Sequence, residues 1–387
     1  MSFFGITFER DIHRVQVVQA LHSVAVSFIS IYVPVFLLLH GFTLSGTILF
    51  FVVFHIVGFA FGLTTCPWLM RRFGLAPTLR LSFPIQLLYY VALNLSPNVS
   101  LPWILIAAIG GIANILYCMP LNILLVRHAD YKKMGSDLGM FFALPKIFGI
   151  AGPILSAVLI PIVGFWPMFV VSGFGLVLSY FPLYGIRKEE KKIRFRMSQV
   201  WEELRKRRLL FFLEGLDNII EESEWFWGIF VFLLIGSLSV PGIVGGLEAL
   251  GGAVFAILIG KLADRHAAKL VPIAAVLLSA VWVVRFFVVS PVAAYAASFA
   301  ASFLMMFFLV SYFGMIYRKI KGDEEETFLI VREIPTVLGR MVVFGVLFLV
   351  INDPRKMFFL PIATIAALLV VLFVKRKRFE LFAAGSR

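Results

Sequence analysis

The chain has 387 residues, of which 61% are hydrophobic and 15% charged, with a mean hydropathy of +0.97. Soluble globular proteins carry about 25% charged residues, so a soluble fold is excluded and a polytopic membrane protein is expected. A net charge of +13 would suggest nucleic acid in a soluble protein, but here the charge is distributed by topology, and no nucleic-acid partner is expected.

The opening "MSFFGITFERDIHR" mixes acids and bases before the first apolar run. It lacks the basic n-region and cleavage site of a secretory signal, so the first span is expected to insert and stay. About 20 apolar residues cross roughly 30 Å of hydrocarbon. Walking the chain at that length predicts twelve spans, at about 15–40, 43–65, 75–95, 101–125, 136–161, 165–186, 209–237, 242–262, 269–288, 290–317, 326–351 and 356–374. Alternate connections are nearly uncharged, as in "SPNVSLP", or basic, as in "RRFGLAPTLR", "RHADYKK" and "YRKIKG". One side collects 29 of the 35 Lys and Arg residues, whereas Arg355 and Lys356 alone fall on the other. The positive-inside rule then puts both termini in the cytoplasm, in an inner-membrane topology.

The segment 187–208, "RKEEKKIRFRMSQVWEELRKRR", divides the chain into a six-span half at 1–186 and a second at 209–387 with a short cytoplasmic tail. It reads either as an amphipathic helix on the membrane face, with Ile193, Phe195, Val200, Trp201 and Leu204 inward, or as a solvated linker. Cys66 and Cys118 are far apart and imply no disulfide framework.

The halves echo each other. "GLTTCPWLMRRFG", beginning at Gly62 after the second span, corresponds in position to "GKLADRHAAKL", beginning at Gly260 after the eighth. "SDLGMFFALPKIFG" likewise corresponds to "TFLIVREIPTVLG". "GKLADR" with Lys269 resembles the Gly-x-Leu-Ala-Asp-Arg signature of the major facilitator superfamily, and the twelve spans extend that resemblance over the whole chain. The resemblance implies an all-α membrane fold of two pseudo-symmetric six-helix halves and a cytoplasmic latch of Gly260, Asp264, Arg265 and Lys269. Gly62 and Arg71 match in the first half, where Cys66 replaces the acid. The fifth span partly resembles the family's antiporter signature through Gly139, Gly152 and Pro153, small or kinking residues suited to close helix packing. Ser156 and Ala157 stand where two glycines are usual, and the fourth span lacks the family's Arg.

The seventh span carries "LEGLDNIIEESEW". Starting that span at Trp225 would leave too few residues for two crossings before Ala263, so the acids must lie inside the bilayer. At about 100° per residue, Glu214, Asp217, Asn218, Glu221, Glu222 and Glu224 form a stripe. A charge facing lipid costs at least about 2.5–3.5 kcal/mol, so the stripe must face water or cations, and the resemblance places this span on a central cavity. Crowded carboxylates do not all stay ionised cheaply, which makes Asp217, Glu221 and Glu224 candidates for a coupling proton or a cationic substrate; a structural network is the alternative. Lys146 either pairs with Glu248 in one state, snorkels or binds a carbonyl. Arg332, Glu333 and Arg340 in "REIPTVLGR" either meet an anionic group or neutralise the stripe. Arg285 is read as snorkelling at a helix end and His55 as core. Gln19 and His22 share a face of the first span, with His22 either a proton relay, a metal ligand or a packing residue.

No His-Glu-x-x-His, Gly-x-Ser-x-Gly or phosphate-loop pattern supports an enzyme, and no zinc-type spacing appears. The expectation is a monomeric secondary transporter in the lipid bilayer. It would need no cofactor beyond a proton or cation gradient and would move a small-molecule substrate, cationic or amine-bearing, with export slightly favoured. Nutrient or metal-ion uptake, or a receptor or scaffold with a transporter fold, are the alternatives.

Overall fold

The computed structural model describes residues 2–3, 6–7, 11–99, 101–185, 193–322 and 325–374. Most of the N-terminal stretch, linker positions 187–192 and the tail after 374 lie outside the described residues. Apart from a two-residue strand pair, Ser2–Phe3 with Ile6–Thr7, the described residues form an all-α fold.

The first span comprises α1 (Asp11–Ser27) and α2 (Val33–Leu39), bent by 41° across a 3-10 turn at Ser30–Tyr32. Pro34 opens α2, where a missing N–H costs nothing. Next come α3 (Leu44–Leu63), α4 (Thr65–Phe73), α5 (Leu75–Leu95) and α6 (Trp103–His128). Thr43 caps α3 by accepting from the Gly46 amide at 3.0 Å. The fifth span is α7 (Met134–Gly149) followed by α8 (Ala151–Val163), and the sixth is α9 (Trp166–Tyr180).

After the linker, α10 (Gln199–Lys206) leads into α11 (Arg208–Ile235), whose start agrees with the span expected from about 209. Within the linker, part of the expected membrane-facing set turns inward instead. Ile193 and Phe195 are buried against protein, while Trp201 is exposed. α12 (Val240–Phe286) replaces the expected eighth and ninth spans and the loop between them. The two helices run together across a kink at His266, where φ −132° and ψ 18° leave helical geometry. α13 (Pro291–Ile320), α14 (Glu325–Val331), α15 (Glu333–Leu349) and α16 (Phe359–Val374) complete the chain.

Among the described residues, seven helical segments are long and apolar enough to cross a membrane by themselves, and the bent α1–α2 pair makes an eighth. The seventh span falls outside that set because of its acids. Apolar side chains such as Val158, Ile162 and Phe174 are exposed on the outer surface, as lipid-facing groups are. The first six and last six spans come into close backbone contact where α7 crosses α12. A β-carbon on Gly139 would lie 2.6 Å from the Ala256 carbonyl oxygen, and one on Gly260 would lie 2.8 Å from that of Gly135. Only glycine permits this approach, which brings the walls of a central cavity together.

Candidate functional site

A cavity of about 700 Å³ lies between the two sets of spans, with walls from α1, α3, α5, α6 and α7 on one side and α11, α12 and α15 on the other. On the first wall Gln19, His22, Gln86 and Asn114 present neutral polar groups. Tyr117 donates to the Gln19 side-chain oxygen, and His22 Nε2 donates to Gln86 Oε1 at 2.8 Å. His22 also stacks on Tyr117 with ring centroids 3.6 Å apart. It is thus both a cavity residue and a packed one.

The acidic stripe of α11 divides. Glu221, Glu222 and Glu224 line the cavity, whereas Glu214, Asp217 and Asn218 are buried outside its lining. Glu214 forms an ion pair with Arg332 at 3.2 Å, and Arg332 donates to the Tyr317 hydroxyl at 2.7 Å. Asn218 donates to the Glu214 carbonyl at 2.8 Å. Both Asp217 oxygens lack a hydrogen-bond partner among the described residues. Glu222 pairs with Arg340 at 3.2 Å. Glu224 accepts from Arg285 at 2.8 Å. Glu221 makes no hydrogen bond or ion pair among the described residues and stands exposed to the cavity.

Two expectations need correction. Arg285 does not snorkel: it is fully buried, with its guanidinium 4.4 Å from the ring centre of Trp227 and 4.5 Å from that of Trp282. Two aromatic faces and a carboxylate hold the cation inside, so the helix end needs no outward reach. His55 is not merely core. It crosses from α3 to the second set of spans, with Nδ1 3.1 Å from Arg340 and Nε2 3.7 Å from Glu222. Guanidinium is donor-only, so Nδ1 accepts and Nε2 carries the proton that faces Glu222.

Lys146 and Glu248 line the same cavity from α7 and α12. They sense each other's charge without forming an ion pair within 4 Å. Glu333 opens α15 and lies within electrostatic reach of Arg332 and Arg340, outside the cavity lining. Among the described residues, no group of three His, Cys, Asp or Glu side chains is arranged to hold a metal ion.

The end of the bundle where α6 and α13 terminate is tied shut. Asp264 accepts from the amides of Gly135 at 2.7 Å and Ser136 at 3.3 Å, and from the Ser136 hydroxyl. It thereby supplies an anion to the N-terminus of α7. Arg318 donates to the same carboxylate at 3.0 Å. Lys321 donates to the carbonyls of Val126 at 2.6 Å and Arg127 at 2.9 Å, while Arg127 lies 3.7 Å from Glu325 and 3.6 Å from Glu326. Of the expected latch residues, Gly260 and Asp264 meet α7, but Arg265, Lys269 and Arg71 are exposed and not brought together. Gly62 packs on Ile115 of α6 within the first set of spans. Gly152 packs against Ser27 and Phe28, and Pro153 lies against Gly242 and Gly245 of α12. Arg318 was missed because nothing in "YRKIKG" distinguishes an arginine aimed at Asp264 from one in water.

No family model matches the sequence, and no curated protein matches it. Solved structures do. A bacterial homologue of the iron transporter ferroportin in an outward-facing state shares 12% identity at a TM-score of 0.70, over 97% of this chain and 100% of that one. The major facilitator transporter FucP in an outward conformation shares 11% at 0.69, over 93% and 97%. A variant of the E. coli fucose:proton symporter FucP shares 11% at 0.70 over the same shares of the two chains. Such identities carry architecture and not cargo. Together with the apolar helices, they establish a multi-pass membrane protein with the major facilitator fold.

Proposed function

We propose that the protein is a secondary transporter in which the two six-span sets, 1–186 and 209–387, rock about the cavity, and that Glu221 is its cation-binding and proton-coupling group. The observation that carries this reading is the contrast among the cavity acids of α11. Glu222 and Glu224 are held in ion pairs by Arg340 and Arg285, whereas Glu221 faces the cavity outside any ion pair among the described residues, with Arg340 within electrostatic reach. A carboxylate left open to a water-filled space is free to take a proton or an amine from that space.

The Lys and Arg bias supports a cytoplasmic location for the tied end and for both termini. With that end shut and the cavity set among the middle turns, the arrangement suits an outward-facing state of a monomer driven by a proton gradient. The cargo favoured by the acid-rich wall is a small amine-bearing solute.

A ligand-induced thermal-shift screen tests the site. Purified protein is heated at pH 6 and pH 8 with metals, organic cations, amino acids, sugars and organic anions, in wild type and Glu221→Gln. Stabilisation by amine-bearing ligands that depends on pH and disappears in the variant is expected. Stabilisation by sugars or anions that survives Glu221→Gln would move the site elsewhere in the cavity.

A further inference from the structure

Four carboxylates and three basic side chains bear on the cavity charge. The pairs Glu222 with Arg340 and Glu224 with Arg285 cancel. Glu221 and Glu248 remain as anions and Lys146 as a cation, each lining the cavity and none in an ion pair among the described residues. Lys146 extends along α12, with its stem against Gly252, where a β-carbon would lie 3.2 Å from the Lys146 Cδ. Any side chain larger than glycine at 252 would crowd it. Lys146 is thus laid along the second set of spans from the first and kept in the cavity, rather than withdrawn to a helix end. A cavity built only for a cation has no use for an unpaired ammonium among its walls, since like charges repel the ligand.

We infer that the cavity takes a small zwitterion, an amino acid or short peptide, with its ammonium at Glu221 and its carboxylate at Lys146. This rests on the proposed cavity site and narrows its cargo. A zwitterion brings no net charge, and with its two ends at Glu221 and Lys146 it leaves Glu248 as the one cavity carboxylate outside an ion pair among the described residues. Phe51 and Trp225, with ring centroids 4.5 Å apart, face the cavity beside Glu221 and offer an apolar surface to a side chain. Gln19, Gln86 and Asn114 supply neutral donors and acceptors for the remaining polar atoms. The volume of about 700 Å³ accepts ligands from a single amino acid to a short peptide.

Binding is measured on the purified full chain with L-phenylalanine and L-phenylalanyl-L-alanine, their C-terminal amides and their N-acetyl forms. The free zwitterions are expected to bind roughly 10- to 100-fold more tightly than either blocked form, as one charge-assisted contact is lost in each. Lys146→Met should abolish the preference over the amide, and Glu221→Gln the preference over the N-acetyl form. Wild-type protein that binds the amides as tightly as the zwitterions would overturn this inference while leaving the amine site at Glu221 standing. Preference for the N-acetyl forms would overturn both. Failure of both zwitterions to bind protein that is stabilised by another amine would overturn the zwitterion assignment alone. The wild-type pattern across the six probes decides the matter even if a variant fails to fold.

Discussion

Arg340 Nε lies 3.2 Å from a carboxylate oxygen of Glu222, and eight positions earlier on both helices Arg332 Nε lies 3.2 Å from Glu214. The equal spacing means that α11 and α15 run parallel, with two ionic rungs about 12 Å apart along the helix axes. Between the rungs, a β-carbon on Gly339 would lie 2.6 Å from the Gly215 carbonyl oxygen, so the helices touch there and the rungs cannot slide. Among the described residues, the upper rung reaches the other set of spans through His55.

Breaking one partner of a buried pair strands a charge, at a cost of about 3–5 kcal/mol. Glu214→Gln and Arg332→Met should each lower the thermal unfolding temperature strongly. The double variant should recover most of the loss, because neither charge is then left alone. Additive losses in detergent-solubilised protein would mean that the rung contributes nothing as a pair.

Arg285 tests the aromatic sandwich. Arg285→Lys retains the charge but lacks the planar face that stacks on Trp227 and Trp282, so a loss of roughly 1–2 kcal/mol is expected. A thermal unfolding temperature equal to wild type would show that charge alone suffices.

Asp264 holds the basic end closed. Asp264→Asn keeps the shape but removes the anion facing α7 and Arg318. Each charge-assisted hydrogen bond is worth about 1.5–3 kcal/mol, so the variant should shift the population toward a state open at that end by roughly tenfold or more. A cysteine placed at Ser136 should then react faster with a membrane-impermeant maleimide added from the basic side. An unchanged rate would remove Asp264 from the tie.

His55 links the two sets of spans as an acceptor from Arg340. His55→Phe keeps the ring contact with Phe344 but removes both polar contacts. It is expected to slow substrate translocation while leaving equilibrium binding within about threefold of wild type, a change of less than 1 kcal/mol. Loss of binding with normal translocation would place His55 in the substrate site instead.

The sequence carried the fold through span length and charge bias. Those two quantities set the start of α11 near 209, and so forced the acids into the bilayer. They could not say which neighbour each acid meets. The helical stripe treated Asp217 and Glu221 alike, yet the first is fully buried within electrostatic reach of Tyr312 and Arg332 and the second is exposed to the cavity. Arg285 was misread because a distant tryptophan and acid on α11, Trp227 and Glu224, close over it together with Trp282 one turn earlier on its own helix. His55 was misread because its partners are more than 160 positions away along the chain. Side-chain periodicity reports a face; the partner on that face is a tertiary fact.

The most direct test is transport in proteoliposomes. An imposed pH gradient should drive accumulation of a labelled amine-bearing ligand identified by thermal shift, and Glu221→Gln should abolish it while the variant remains folded. Gradient-driven accumulation that is unchanged in Glu221→Gln would contradict the assignment of Glu221 as the binding and coupling group.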